Sequence, residues 1–277
     1  MQQIDSNRKS PVFQEIVILH PTEIVPLKRQ FFAASVLTCL ALLCLRLSAS
    51  TQQSLLDAPD IEPYPVRVGE ILTYTVKIAG ISAGKQVTEV VDRTTIDGHD
   101  VYRLTSESRT NSLFAKFYHF QDLKESYITT DQFYPIRFSK NLEDRSYRAH
   151  VRVNFFCEGG AAEYTKNEAC KRIKAPVGTQ DELSMVYFVR SKDFKVGQTY
   201  TFPVLIKDAV QDVVLTAYRR EVMKTEALGR VETIALRTSH GYLIWLTNDE
   251  HRFPVRIEAE TRRGKLVGTL KSVDFAK

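Results

Sequence analysis

Short runs in which apolar and polar residues alternate fill most of this chain from residue 66 onward. In one of them, Leu72, Tyr74 and Val76 are separated by polar residues, and a period of two places apolar side chains on one face of a strand. Such runs recur about a dozen times, with turn signals such as Asp97-Gly98 between them. The pattern predicts a mainly β protein built as an antiparallel meander.

One segment breaks the strand pattern and predicts a helix. Residues 183–189 read LSMVYFV and leave almost no polar face, and a helix that is apolar all round is a buried helix. Thr179 and Glu182 have the spacing of a capping box, which favours a helix start there. A meander must hide its inner face and its edges. We therefore expect a sheet curled into a half-open barrel around this one buried helix.

The N-terminal region predicts export. Residues 31–45 (FFAASVLTCLALLCL) carry no charge, follow Lys28-Arg29 and precede the small residues Ser48-Ala49-Ser50. A basic start, a short apolar core and a small-residue exit are typical of a secretory signal helix, here cleaved near Ser50. One alternative is a retained inner-membrane anchor at 31–45, although fifteen residues are short for a bilayer. The other is a buried core helix.

These features divide the chain into three regions. Residues 1–50 are an N-terminal preface and signal peptide, 51–65 a polar tether, and 66–277 a single β-rich domain. The preface is long for a signal, and one hypothesis places the true start nearer Val25 or Leu27. The expected location is the periplasm. With the signal removed, Cys157 and Cys170 remain as an even pair in an oxidising compartment.

A Cys157–Cys170 disulfide is the favoured interpretation of that pair. In the chain-entropy model, closing a loop of this length contributes about 3 kcal/mol. The alternative is a pair of free, buried thiols. Two cysteines without a nearby second pair do not form a zinc site, so no metal is expected.

Several landmarks occur in a characteristic order along the chain. They are Gly80-Ile81-Ser82-Ala83-Gly84, Asp181-x-x-Ser184-x-x-Tyr187-x-x-Arg190, Trp245-Leu246-Thr247 and Pro254-Val255-Arg256-Ile257. Together they resemble a bacterial exported family known as domain of unknown function 3108, over roughly Val66 to Asp274. The resemblance implies export and a β-rich fold, and the family carries no established activity. The segment from Cys157 to Cys170 departs from the family pattern.

Candidate ligand-binding residues lie on the predicted helix and in an aromatic cluster before it. They are Asp181, Ser184, Tyr187, Arg190, Phe117 and Tyr118. Simpler interpretations stand beside these. Asp181 can act as a helix-capping carboxylate, and the aromatic cluster can seal one end of the sheet core. The basic row of Arg145, Arg148 and Arg152 could meet lipid head groups, but it is typical of a solvated strand face.

No sequence motif indicates catalysis. Hydrolase elbows, metalloprotease motifs and nucleotide-binding loops do not occur, and Ser239-His240-Gly241 is typical of a turn. A net charge of +5, dispersed along the chain, does not indicate a nucleic-acid partner.

The sequence favours a non-enzymatic periplasmic binding or carrier protein for an apolar or lipid-like ligand, without a cofactor, in cell-envelope maintenance. The alternatives are an envelope assembly factor acting through protein contacts and a hydrolase with a dispersed site. Contact with the membrane is expected only through an uncleaved signal or at the periphery.

Overall fold

The strands in the described part of the chain join into one fifteen-stranded sheet. The computed structural model describes residues 53–54, 66–156, 159–261 and 264–276. The predicted preface and signal, and most of the tether, lie outside these residues. The strands are β1 (Gln53–Ser54), β2 (Glu70–Ile78), β3 (Ile81–Ile96), β4 (His99–Thr110), β5 (Phe120–Thr129), β6 (Pro135–Asp144), β7 (Tyr147–Phe156), β8 (Ala161–Lys166), β9 (Ala169–Lys174), β10 (Thr199–Ile206), β11 (Ala209–Thr225), β12 (Gly229–Thr238), β13 (Leu243–Thr247), β14 (Pro254–Thr261) and β15 (Gly264–Phe275).

The order of the strands confirms an antiparallel meander. Strands β2 to β9 follow one another as neighbours, strands β10 to β15 do the same, and β15 pairs with β2. The short β1 pairs in parallel with β10. Among the described residues β9 has no strand partner beyond β8, so the sheet is curled without being closed. We call the line along which β9 faces β10 and β11 the seam. Lys171 and Asp208 form an ion pair across it, at 2.6 Å.

Irregular strand pairing supports the curvature of the sheet. The register shifts between Val76 and Lys77 and between Val90 and Asp92, and a bulge bends the strand that contains it. Gly84 in β3 approaches β4 so closely that a Cβ there would lie 2.2 Å from the carbonyl oxygen of Arg109. The landmark segment 80–84 lies mostly within β3, which begins at Ile81, and the chain turns at Ala79 and Gly80.

Helix α2 (Ser184–Arg190) follows the crossover from β9 and precedes β10. Six of its seven residues are buried. The Phe188 ring centroid lies 5.4 Å from that of Phe202 and 6.0 Å from that of Tyr134. The predicted buried helix inside a curled sheet is confirmed. A four-residue helix, α1 (Ser112–Ala115), connects β4 to β5 and was not predicted.

The helix start differs from the predicted capping box. The Thr179 hydroxyl donates to the carbonyl oxygen of Pro176 at 2.6 Å. The carboxylate of Asp181 instead accepts the backbone N–H groups of Leu183 and Ser184, at 2.7 and 2.8 Å. The Ser184 hydroxyl oxygen in turn accepts the Asp181 N–H at 2.8 Å. The prediction of Thr179 and Glu182 as the pair was wrong because Asp181 is also a good cap and lies two residues closer to the helix.

We expect truncation of Phe188 to destabilise the protein strongly, since its side chain is fully buried. Phe188→Ala should lower the free energy of unfolding by about 3–5 kcal/mol, measured by urea denaturation. Phe117→Ala is the matched control, because Phe117 is 82% exposed, and it should change stability by no more than about 0.5 kcal/mol. Equal losses in the two variants would contradict the placement of α2 in the core.

Candidate functional site

The inward face of β5 is apolar at its ends and polar in its middle. The inward residues are Phe120, Asp122, Lys124, Ser126 and Ile128, and all five are buried. Leu123, on the opposite face, is 39% exposed. Phe120 and Ile128 fix which face of the strand turns inward, and the polar residues between them share that face because strand side chains alternate.

Neighbouring strands continue this polar stretch across the sheet. Lys124 pairs with Ser106 on β4 and with Lys140 on β6, and Ser106 pairs with Thr88 on β3. Each of the four is at most 8% exposed. We call these four residues, together with Asp122, the polar band.

The polar band separates two apolar clusters of the interior. On β5, Ile128 belongs to the cluster around α2, while Phe120 belongs to a second cluster at the other end of the sheet. On β6, Phe138 and Leu142 flank Lys140 and fall into the same two clusters. The interior therefore holds a charged layer between two apolar layers.

Four charged side chains form a closed network in the band. Lys124 Nζ lies 2.6 Å from Asp122 and 3.4 Å from Glu182. Lys140 Nζ lies 2.9 Å from Glu182 and 3.6 Å from Asp122. The side chains are between 0% and 14% exposed. Each cation thus contacts both anions, an arrangement that offsets the large cost of removing charges from water.

The pKa values of the two lysines shift in opposite directions. Burial lowers the pKa of Lys124, and its contact with Asp122 only partly opposes that effect. Burial also acts to lower the pKa of Lys140, but the carboxylates of Glu182 and Asp122 outweigh it, and the pKa of Lys140 is raised. Lys140 is therefore the firmly charged member of the pair.

Asp181 joins the helix to the sheet. Its carboxylate accepts a hydrogen bond from the Ser126 hydroxyl on β5 at 2.6 Å, in addition to the two backbone N–H groups of the helix start. Burial raises the pKa of Asp181 to about 6, against the opposing effect of these hydrogen bonds. The residue is a cap and also an internal titratable group.

Two cavities adjoin the polar band. The smaller one has a volume of about 40 Å³ and is lined by Lys124, Thr88, Ser106, Tyr74 and Tyr187, among others. That volume suits a few water molecules between polar groups.

The larger cavity, which we call the lysine pocket, has a volume of about 270 Å³. Its buried floor includes Lys140 and Asp181, and its exposed rim includes Lys166, Lys207 and Asp208. Its apolar walls are formed by Phe138, Leu142, Val151, Val153 and Leu205. It lies between strands β6 to β8 and the turn that joins β10 to β11.

The predicted helix residues occupy different places in the structure. Asp181 lines the lysine pocket and Tyr187 lines the smaller cavity, while the Ser184 side chain is used in capping. Arg190 is fully buried at the other end of α2, where its guanidinium donates to both carboxylate oxygens of Glu70, at 2.7 and 2.9 Å. Arg190 and the pocket residues are thus not brought together.

The aromatic and basic candidates lie away from both cavities. Tyr118 is buried in the second apolar cluster, whereas Phe117 projects into solvent. Arg145 covers the Tyr118 ring, with its guanidinium carbon 4.4 Å from the ring centroid. Arg148 and Arg152 are exposed. These positions agree with a sealed sheet end and a solvated strand face.

Cys170 is exposed on β9, and it forms no disulfide with any of the residues that the structure describes. Its predicted partner, Cys157, lies outside the described residues, so the disulfide stays a prediction. Within the ranges that the structure describes, no group of three or more His, Cys, Asp or Glu side chains could hold a metal ion. The same ranges contain no helix long and apolar enough to cross a membrane.

Sequence reasoning missed Lys124, Lys140, Asp122 and Glu182. A usable signal was present for β5, where Phe120 and Ile128 set the inward phase and Asp122 and Lys124 share it. The same signal marks Lys140 on β6, between the inward residues Phe138 and Leu142. What the sequence does not show is that these residues meet, because cross-strand register decides the partners.

The raised pKa of Asp181 gives a pH-dependent prediction. The folded protein holds this proton more tightly than the unfolded chain, so the stabilisation is complete below pH 3.8 and is lost as the pH rises through about 6. The free energy of unfolding of the wild type, relative to Asp181→Asn, should therefore fall by about 3 kcal/mol between acidic and neutral pH. Urea denaturation across that range measures it. Asp131→Asn, at an exposed site, should show no such trend. A constant difference between the wild type and Asp181→Asn would refute a buried carboxyl at this position.

Comparison with solved structures supports the fold. A crystal structure described as a β-barrel-like protein of domain of unknown function DUF1849 from Brucella abortus aligns with a TM-score of 0.52 at 12% identity, covering 76% of this chain and 98% of that chain. At this identity the likeness shows the fold alone. A putative exported protein with a YmcC-like fold from Bacteroides fragilis gives the same coverages at 10% identity, but its TM-score of 0.33 is too low to support an argument.

Sequence comparison places the chain in a family. No curated protein matches the sequence. The model of the family described as "Protein of unknown function (DUF3108)" matches residues 73–271, which is more than half of the chain. The protein therefore belongs to the DUF3108 family.

Proposed function

We propose that the protein is an exported, non-enzymatic binding protein that carries a lipid-like ligand in the lysine pocket. The observation that supports this most is the composition of the pocket, which combines apolar walls with lysines inside an unclosed sheet. A site of this kind suits a molecule with an apolar portion and a polar end.

The pocket has room for part of such a molecule. Its volume of about 270 Å³ lies near the lower end of small-molecule sites, which run from roughly 300 to 1,000 Å³. Transfer of an acyl chain from water to the wall contributes roughly 0.8 kcal/mol per buried CH₂. The walls of Phe138, Val153 and Leu205 are themselves buried, so they form a fixed apolar surface for this contact.

An assembly factor that acts through protein contacts is the second candidate, and one observation favours it. Strand β9 is an edge strand, and its residues are exposed along almost their whole length. An exposed edge can accept a further strand from a partner. However, β9 carries Lys171, Arg172 and Lys174, and charged residues are a common device that keeps edges unpaired.

The binding proposal predicts that filling the pocket abolishes ligand uptake. Val151→Trp places a large side chain on the pocket wall, and we expect it to weaken binding of the fluorescent probe anilinonaphthalene sulfonate at least tenfold. Val222→Trp is the control, because Val222 is 56% exposed on β11, and it should bind the probe as the wild type does. Thermal melting checks that both variants fold. Wild-type protein that takes up no probe, and that shows no bound amphiphile by native mass spectrometry after purification, would refute the proposal.

The export part of the proposal predicts processing of the N-terminus. Expression of the full-length chain in a Gram-negative host should release soluble periplasmic protein that begins near Thr51, after cleavage at Ser50. N-terminal sequencing of the purified protein tests this. Membrane-bound protein that retains residues 31–45 would instead favour the anchor.

A further inference from the structure

We infer that the lysine pocket selects ligands with an anionic head, a carboxylate or a phosphate, and that Lys166 and Lys207 at the rim recognise it. This inference rests on the proposed function and adds to it the chemical class and the orientation of the ligand.

Two carboxylates that line the pocket, those of Glu182 and Asp208, already form ion pairs with lysines. Glu182 contacts both Lys124 and Lys140. Asp208 at the rim forms its 2.6 Å ion pair with Lys171 across the seam. These two anions thus form their ion pairs with lysines other than the two at the rim.

Lys166 and Lys207 bring positive charge that the described part of the protein does not neutralise in an ion pair. Both are exposed and both line the pocket. The Nζ of Lys166 lies 5.8 Å from the centroid of the Tyr147 ring. The hydrogen bond from Lys171 and, to a smaller extent, the charge of Lys166 lower the pKa of Asp208. They belong to different halves of the sheet, Lys166 ending β8 and Lys207 following β10. An anion held between them would therefore interact with both sides of the pocket mouth.

The distribution of charge also fixes the orientation of the ligand. The floor combines Lys140 with Asp181 and Glu182, and Lys140 is already paired with Glu182 at 2.9 Å. An anionic head placed there would meet two carboxylates around a lysine that is already paired, in a poorly solvated region. At the rim the head meets two lysines and remains partly hydrated. The apolar tail then lies against Phe138, Val153 and Leu205, which line the wall.

The experiment compares three probes that each contain ten carbon atoms in an unbranched chain and differ in the head: decanoate, decyl phosphate and decanol. Isothermal titration uses protein purified after expression of the full-length chain. We expect at least one anion to bind tenfold or more tightly than decanol, and this preference to weaken with added NaCl because exposed charges are screened. Binding of decanoate alone identifies a carboxylate as the preferred head, and binding of decyl phosphate alone identifies a phosphate.

Variants at the rim test the recognition directly. The double variant Lys166→Gln/Lys207→Gln should weaken binding of the preferred anion about tenfold and leave decanol binding unchanged. Lys166→Arg/Lys207→Arg keeps both charges and should retain the preference. Lys195→Gln, at an exposed lysine that does not line the pocket, is the matched control.

Equal binding of decanol and the anions, with no effect of the glutamine variants, would overturn the inference and leave the proposed function intact. Failure of all three probes to bind the wild type would count against the carrier function itself.

Discussion

Helix α2 is tied to the sheet by polar contacts at both ends, and the rest of the interior depends on these ties. At its start, Asp181 links the first backbone N–H groups of the helix to Ser126 on β5. At its end, the guanidinium of Arg190 is buried against Glu70 on β2. Apolar packing is not directional, so Phe188 and its neighbours could pack in several registers. Hydrogen bonds and a bidentate ion pair have fixed geometry, and they select one of them.

The same arrangement makes the charged layer of the interior possible. The backbone that enters α2 carries Glu182 directly after the capping residue, and this places its carboxylate within reach of Lys124 and Lys140. Without Glu182, two lysines on adjacent strands would face each other with only Asp122 between them, and like charges opposite one another destabilise a sheet. The helix therefore completes the polar band as well as the apolar core, and through Lys140 it sets the charge at the floor of the lysine pocket.

Much of the fold could be predicted because it depends on local pattern. Alternation located the strands. Asp97 and Gly98, both at positive φ, formed the hairpin that an Asp-Gly pair favours, and the unbroken apolar run of α2 required burial.

The candidate site was harder to predict from the sequence. Glu70 and Arg190 are separated by 120 residues, and neither neighbourhood indicates the other. The outward Leu123 and the inward Lys124 show the second difficulty, because hydrophobicity alone assigns these two side chains to the wrong faces. The flanking residues and the strand register, rather than the hydrophobicity of each residue, determine which face of the strand each side chain occupies.

The open seam and the pocket share one cause, which is the path of the crossover from β9 to β10. Gln180 on this crossover pairs with β10 through backbone hydrogen bonds, donating to Pro203 and accepting from Leu205, at 2.9 and 2.8 Å. The edge of β10 that would otherwise be open to β9 is thereby partly occupied, and closure of the sheet by direct pairing is blocked. What joins the two sides near the pocket mouth is the exposed Lys171–Asp208 pair, and an exposed pair of this kind contributes about 0–1 kcal/mol. This weak pair lies beside the rim of the lysine pocket. The Arg190–Glu70 ion pair, which holds the far end of α2, lies away from the pocket lining.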